Sequence, residues 1–301
     1  MKKQIIISLL SLLLFGLLIS SCTEKPQMIR IGLIADIQYC DCDTRGSRFY
    51  RNSLPKLEAA VDDINRENVD FTVNLGDLVD RDTENNLRAI LSRLGNLEKM
   101  VYNTTGNHDY DGVVDNDALY KELGMPSAYY SFKKGSWRFI MLNTNEVASY
   151  ANVAGTELES ELTEMQERIR KTGRKNGASY NGGISRQQMN WLKQELETAQ
   201  KKKEYVIVFS HHPLYAASGL TALNDLEILE VLASFSCVKA GISGHHHPGD
   251  FGTYKEIPFI TTEGMIETEN ENAYGVLELT ADQILLKGKG RTKSYDLPIK
   301  Q

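Results

Sequence analysis

The chain has 301 residues and carries 34 Lys and Arg against 40 Asp and Glu, a formal charge of -6. An acidic surface rules out nucleic-acid binding driven by counterion release. Hydrophobic residues make up 41% and charged residues 25%, ordinary usage that excludes fibrous and disordered classes and predicts one packed domain, or one with a small insertion.

The first segment does not belong to the fold. Lys2 and Lys3 precede an apolar run from Ile5 to Ile19, which is too short for the ~20 residues of a spanning helix and fits a secretion signal over residues 1–21. The run ends in Ile19-Ser20-Ser21-Cys22, which resembles the lipobox of bacterial lipoproteins, where the cysteine is acylated and becomes the mature first residue. That implies a lipid on Cys22, a polar tether over 22–28 and an extracytoplasmic place in the bacterial cell envelope, periplasmic or outer-membrane; an uncleaved membrane anchor is the alternative. Cys40, Cys42 and Cys237 would remain, an odd number, so the fold cannot depend on a disulfide framework. A bond between Cys40 and Cys42, one residue apart, is expected to be strained, and free cysteine usually packs as a small hydrophobe.

Residues 29–301 form the domain. Ile29 to Ala35 reads as a strand ending at Asp36, and Val69, Phe71, Val73 and Leu75 alternate up to Gly76-Asp77 with the strand period of two. Between them Leu54, Leu57, Val61 and Ile64 recur at helical spacing, with Pro55 blurring the start. Leu87, Ile90, Leu91, Leu94 and Leu97 mark a second helix, followed by a short strand from Met100 into Gly106-Asn107-His108-Asp109. After the strand Trp137 to Leu142, an insertion at about 145–184 carries an acidic half, Glu157 to Glu167, and a basic half, Arg168 to Lys175, as on a solvent-exposed helix that is a candidate lid. Ser185 and Gln188 read as a capping box before Met189, Leu192, Leu196 and Ala199. Strands from Tyr205 to Phe209 and Val238 to Ile242 flank a helix around Leu226, Leu229 and Leu232, and the tail from Phe251 to Leu286 reads as short strands. The class is α/β (α+β), with two sheets and helices outside.

All six histidines fall in three places, His108, His211 with His212, and His245 to His247, each just past an apolar strand, as are Asp36 and Asp77. Ligands of open α/β sheets gather outside the carboxyl ends of strands, so five loops are expected to converge on one site. Asp36, Gln38, Asp77, Asn107, His108, His211, His245 and His247 offer carboxylate, amide and imidazole donors, suited to hard or borderline divalent cations. They exceed the needs of one ion and suit two, about 3.5 to 4 Å apart, for in-line attack on phosphorus. Gln38, a neutral amide where imidazole would bind more softly, favours Mn²⁺ or Mg²⁺ over Zn²⁺, with Fe also possible in principle. His212 and His246 are expected near the site without ligating.

Asp36-x-Gln38, Gly76-Asp77, Gly106-Asn107-His108-Asp109, Ser210-His211-His212-Pro213 and Gly244-His245-His246-His247 together resemble the ordered motifs of calcineurin-like metallophosphoesterases. Most of that superfamily has Asp-x-His first; Asp-x-Gln resembles the manganese-dependent ADP-ribose/CDP-alcohol diphosphatase branch. Thr44-Arg45-Gly46, Tyr50-Arg51, Tyr180-Asn181-Gly182-Gly183, Glu263-Gly264, Ile266-Glu267-Thr268 and Leu286 to Arg291 are similar to it as well, so the likeness spans about Ile29 to Arg291. It implies a four-layer αββα sandwich with two mixed β-sheets. One metal would be held by Asp36, Gln38, Asp77 and His247, and the other by Asp77, Asn107, His211 and His245, with Asp77 as the bridge. It further implies attack by a metal-bridging hydroxide on a small nucleotide-type diphosphate, with His108, oriented by Asp109, facing the leaving phosphate. A phosphomonoesterase or cyclic-nucleotide phosphodiesterase on the same site, or a degenerate binding scaffold, stays open, as does a substrate role for Lys287, Lys289 and Arg291.

Overall fold

A computed structural model describes residues 28–215 and 219–299; the signal segment, Cys22 and nearly all of the tether lie outside the described residues. The first half of the chain alternates strands β1 (Ile29–Ile34), β2 (Phe71–Asn74) and β3 (Val101–Asn103) with helices α1 (Ser53–Arg66) and α2 (Thr83–Leu94). Helix α3 (Asn116–Glu122), strands β4 (Tyr130–Lys134) and β5 (Trp137–Met141), and helices α4 (Glu157–Thr172) and α5 (Arg186–Lys201) follow. Strand β6 (Tyr205–Ser210), helix α6 (Asp225–Ala233) and β7 (Val238–Ser243) precede β8 (Asp250–Tyr254), β9 (Ile257–Thr261), β10 (Ala273–Leu279), β11 (Gln283–Gly290) and β12 (Tyr295–Pro298).

The strands form two six-stranded mixed sheets, ordered β12-β11-β10-β1-β2-β3 and β4-β5-β6-β7-β9-β8. In the first, β1 runs parallel to β2, with Ile31 opposite Phe71, and antiparallel to β10. In the second, β5, β6, β7 and β9 are parallel neighbours. Side-chain alternation assigns the two faces: Phe139 and Met141 on β5 and Ile207 and Phe209 on β6 enter the core shared with β1 and β2. Ile140, Val206 and Val208 point the other way, against Met189, Leu192 and Leu196 of α5 and Ile228, Leu229 and Leu232 of α6. Phe71 of the first sheet meets Phe139 of the second edge-on, with ring centroids 5.1 Å apart. Helix α1 turns Leu57, Ala60, Val61 and Ile64 into that same core, and α2 adds Leu87, Ile90 and Leu94. The result is the αββα arrangement.

Several local expectations are refined. Pro55 sits in the first turn of α1, where a missing N–H leaves no helical bond unmade. All four residues of β2 are buried, so the alternation around Phe71 divides two covered faces rather than core from solvent. Ser185 Oγ accepts from the Gln188 N–H at 3.0 Å, but Gln188 turns its side chain to Asn143 and Glu146, and Glu146 takes the Ser185 N–H instead at 2.8 Å. Leu226 is solvent-exposed, and α6 packs through Ile228, Leu229 and Leu232.

Helix α4 buries Leu162, Met165 and Ile169 in a separate small cluster with Val147, Val153 and Leu223. Ion pairs join it to its surroundings, Arg168 to Glu227 and Glu164 to Arg186, while Lys171 pairs with Glu167 within it. Exposed pairs of this kind add little stability. No helix among the described residues is long and apolar enough to cross a membrane.

Candidate metal centre

Every residue of the site leaves the carboxyl end of a strand. Asp36 and Gln38 follow β1, Asp77 follows β2, Asn107 and His108 follow β3, His211 follows β6, and His245 and His247 follow β7. The turns that aim these side chains are unusual: Asp36, Gln38, Asp77 and His245 all have positive φ, at 51°, 43°, 54° and 68°. Left-handed backbone costs a non-glycine residue about 1 kcal/mol or more, so the loops must hold one another in place. They do so through backbone bonds from Asp36 N–H to Gly76 O (3.1 Å), Gln38 N–H to Asp77 O (2.8 Å) and Ile266 N–H to Asp36 O (2.9 Å). Gly106 packs so tightly here that a Cβ on it would lie 2.0 Å from Asp77 Oδ1.

The hydrogen-bond partners fix which atoms face inward. His211 donates Nδ1–H to the Leu75 carbonyl at 2.8 Å, which turns Nε2 inward, 3.2 Å from Asn107 Oδ1 and 3.5 Å from Asp77 Oδ2. The Asn181 amide nitrogen donates to Asn176 O and Gly219 O, so its oxygen accepts His245 Nε2–H at 3.1 Å. His245 Nδ1 then also faces His211 Nε2, at 3.2 Å. His247 donates Nδ1–H to Glu267 Oε1 at 2.7 Å and turns Nε2 toward Asp36 Oδ1 at 3.6 Å. Gln38 donates Nε2–H to Asp77 Oδ2 at 2.8 Å, while its Oε1 is buried with no donor to satisfy it.

Acceptor atoms therefore converge without enough protons to separate them, an arrangement that positive charge stabilises. A proton supplies part of it: burial opposes a charge on His211, yet Asp77 and Asp36 outweigh that and raise its pKa to about 9. Burial pushes Asp36 up, whereas Asp77, though equally buried, is held well below the ordinary carboxylate range by His211 and His108. The same donor set fits divalent cations: Asp36, Asp77 and His247 offer ligand atoms within 4.8 Å of one another, and the unsatisfied Gln38 oxygen lies beside them.

Above this cluster a cavity of about 470 Å³ is lined by Arg48, Asn107, His108, Tyr180 and the two histidines His245 and His247, among others. A second cavity of about 310 Å³ adjoins it across Asn107, His108 and Tyr180. No residue of α4 lines either one; the insertion lines them through Ser179 and Tyr180, near its end, and Tyr150 near its start, and touches the cluster through Asn181 on His245.

The sequence profile of calcineurin-like phosphoesterases matches residues 29–249. The chain belongs to the calcineurin-like phosphoesterase family. It is a metal-dependent hydrolase of phosphoric esters. A manganese-dependent ADP-ribose/CDP-alcohol diphosphatase from Mus musculus is 28% identical over 325 residues, covering 90% of this chain and 94% of that protein. The protein of the same name from Oryza sativa subsp. japonica is 27% identical over 307 residues, covering 91% and 95%. A solved dimetal phosphatase from Danio rerio superposes with a TM-score of 0.82 at 27% identity, covering 90% of this chain and 99% of the other.

Within this phosphoesterase site the structure corrects several expectations. Asp109 does not orient His108. Its two oxygens accept the backbone N–H groups of Asp77 (3.0 Å), Gly106 (2.8 Å), Leu78 (2.7 Å) and Val79 (3.2 Å), which pins the strained turn carrying Asp77. His108 is oriented by Asp80, whose carbonyl accepts Nδ1–H at 2.7 Å and whose carboxylate lies 3.6 Å away. His212 is fully buried between Thr144 Oγ1 (2.9 Å) and the Tyr180 carbonyl (3.0 Å). Burial and the His211 charge lower its pKa to about 3, and with both nitrogens engaged it has no atom to give a metal, although it lies within 4.8 Å of the ligand atoms of His211 and His245.

The basic strand does not reach the cavity: Lys287 pairs with Glu278 and Lys289 with Glu67. Arg291 instead ties down the site loops, donating to Gly264 O at 2.9 Å and His247 O at 3.1 Å. Cys40 and Cys42 are joined in a disulfide, with Cα atoms 5.2 Å apart, a separation within the usual range of about 4.4–6.8 Å. Glu267, Asn181, Asp80 and Arg48 were not singled out by sequence reasoning, although Glu267 and Asn181 lie inside motifs it quoted.

Asp109→Asn is expected to lower unfolding free energy by about 2–3 kcal/mol, because either orientation of the amide sets an NH₂ against two backbone N–H groups. Urea denaturation checks this; an unchanged midpoint would contradict it.

Proposed function

We propose that this chain hydrolyses the diphosphate bond of ADP-ribose, CDP-alcohols or related nucleoside diphosphate derivatives with two divalent cations, manganese preferred. Asp36, Gln38, Asp77 and His247 would hold one cation, and Asp77, Asn107, His211 and His245 the other, with the two oxygens of Asp77 serving both. The observation that carries this reading is the convergence of carboxylate, amide and imidazole ligand atoms, the orphaned Gln38 oxygen included, beneath a cavity large enough for a nucleotide-sized ligand. The diphosphatase names of the relatives support the substrate class.

When bound, the cations supply charge stabilisation for phosphoryl oxygens and lower the pKa of bound water. The chain's own groups do the rest. Glu267, Asn181 and the Leu75 carbonyl take up one nitrogen of each imidazole, so each ring turns its other nitrogen inward as a ligand atom for a cation. Arg48, with its guanidinium 3.5 Å from Asp80, brings a positive charge to the cavity wall for the substrate phosphates. His108, held through Nδ1–H on the Asp80 carbonyl, would donate a hydrogen bond from Nε2 to the leaving phosphate only as the doubly protonated imidazolium.

With Mn²⁺, ADP-ribose should yield AMP and ribose 5-phosphate and CDP-choline should yield CMP, with AMP and cyclic AMP left intact. Asp77→Asn should reduce kcat/KM by more than about 100-fold. Preferred release of phosphate from AMP, or an Asp77→Asn enzyme as active as wild type, would overturn the assignment.

We further propose that the domain works outside the cytoplasm, tethered to the cell envelope by a lipid on Cys22. The Lys2-Lys3 start, the Ile5–Ile19 run and Ser20-Ser21-Cys22 support this, and the Cys40–Cys42 disulfide suits an oxidising compartment. Metabolic labelling with an alkynyl fatty acid should mark the wild type and lose its signal in Cys22→Ala; labelling of both alike would contradict the anchor.

A further inference from the structure

We infer that Tyr180 is the platform on which the heterocyclic base of the substrate stacks, and that it thereby separates nucleoside diphosphate derivatives from base-free diphosphates. This rests on the proposed diphosphatase reading and assigns the part of the substrate that the metal-ligand set does not touch.

Among the described residues, seven large apolar or aromatic side chains are exposed, including Met100, Val114, Leu226 and Phe251. Isolated exposed side chains of this kind need no explanation. Tyr180, at 48% exposure, is the one of the seven that borders the catalytic cleft, and it borders both cavities at once. Its ring lies 6.0 Å from that of His245, tilted by 48°, so it stands directly over the edge of the acceptor cluster.

The ring is also carried on a fixed backbone. The Tyr180 carbonyl accepts His212 Nε2–H, and the next residue, Asn181, is locked by His245 on its oxygen and by Asn176 and Gly219 on its nitrogen. Two site histidines therefore set the position of an exposed aromatic side chain, and a tyrosine loses few rotamers on binding. The lining of the larger cavity carries the Arg48 cation, suited to phosphate, and the Asp77 carboxylate; the Tyr180 ring is uncharged and suits a flat base. The adjoining cavity adds Tyr110 and Tyr150 to the wall, beside Asp80 and Asp111.

The test is steady-state kinetics with Mn²⁺ for the wild type, Tyr180→Ala and Tyr180→Phe on ADP-ribose, CDP-choline and P1,P2-dimethyl diphosphate. Tyr180→Ala should raise KM for both nucleotides about tenfold, with kcat within about twofold, as expected for loss of one base–aromatic stack. Tyr180→Phe should match the wild type, and the alanine variant's penalty on the dimethyl compound should stay below twofold. An unchanged KM in Tyr180→Ala, or an equal loss on the base-free substrate, would overturn the inference while leaving the diphosphatase reading intact. A wild type that cleaves none of the diphosphates would overturn both.

Discussion

Electrostatic frustration at the strand ends organises this molecule. His211, His245 and His247 are turned inward by partners that take up their outward-facing nitrogens, which sets their inner nitrogens 3.2 to 3.6 Å from Asn107, Asp77, Asp36 and one another, with a proton on His211 bringing positive charge among them. Left to itself such a cluster repels, and the protein tolerates it only where a positive charge sits among the acceptors. The left-handed turns at Asp36, Gln38, Asp77 and His245 add backbone cost to the electrostatic one. Both costs are carried by the surrounding fold: the Asp109 carboxylate across four amides, Arg291 on the carbonyls of Gly264 and His247, and the Lys56 ammonium on those of Met265, Glu267 and Thr268.

That division of labour explains which parts of the site were legible in the sequence. Asp36, Asp77, His211 and His245 stand directly after apolar strands, and a parallel-sheet topology delivers strand ends to one edge whatever the details of packing. Their meeting could therefore be read from pattern and order. Asp80, Asn181 and Glu267 could not, because each acts on a histidine 28, 64 or 20 residues away, and no local spacing marks such a partnership. The family resemblance implies that Asp109 orients His108, whereas the one-turn 3-10 helix His108–Tyr110 turns the two side chains to different neighbours.

The fold was read with similar selectivity. Helix faces followed from periodicity, but the order of strands in the two sheets and the two-sided burial of β5 and β6 depend on pairings between distant segments. The basic tail was ambiguous because Lys287 and Lys289 face carboxylates contributed by other elements, Glu278 on β10 and Glu67 after α1, which one-dimensional reading does not bring near. The Cys40–Cys42 bond was disfavoured on spacing alone, yet the loop past Gln38 sets the Cα atoms 5.2 Å apart and packs Cys40 with Tyr50 and Ile266.

The most direct trial of this account is anomalous scattering from a crystal soaked in Mn²⁺. Two manganese peaks are predicted, one in contact with Asp36, Gln38, Asp77 and His247 and the other with Asp77, Asn107, His211 and His245. A map with no peak among these side chains, or with manganese bound only elsewhere on the surface, would contradict it.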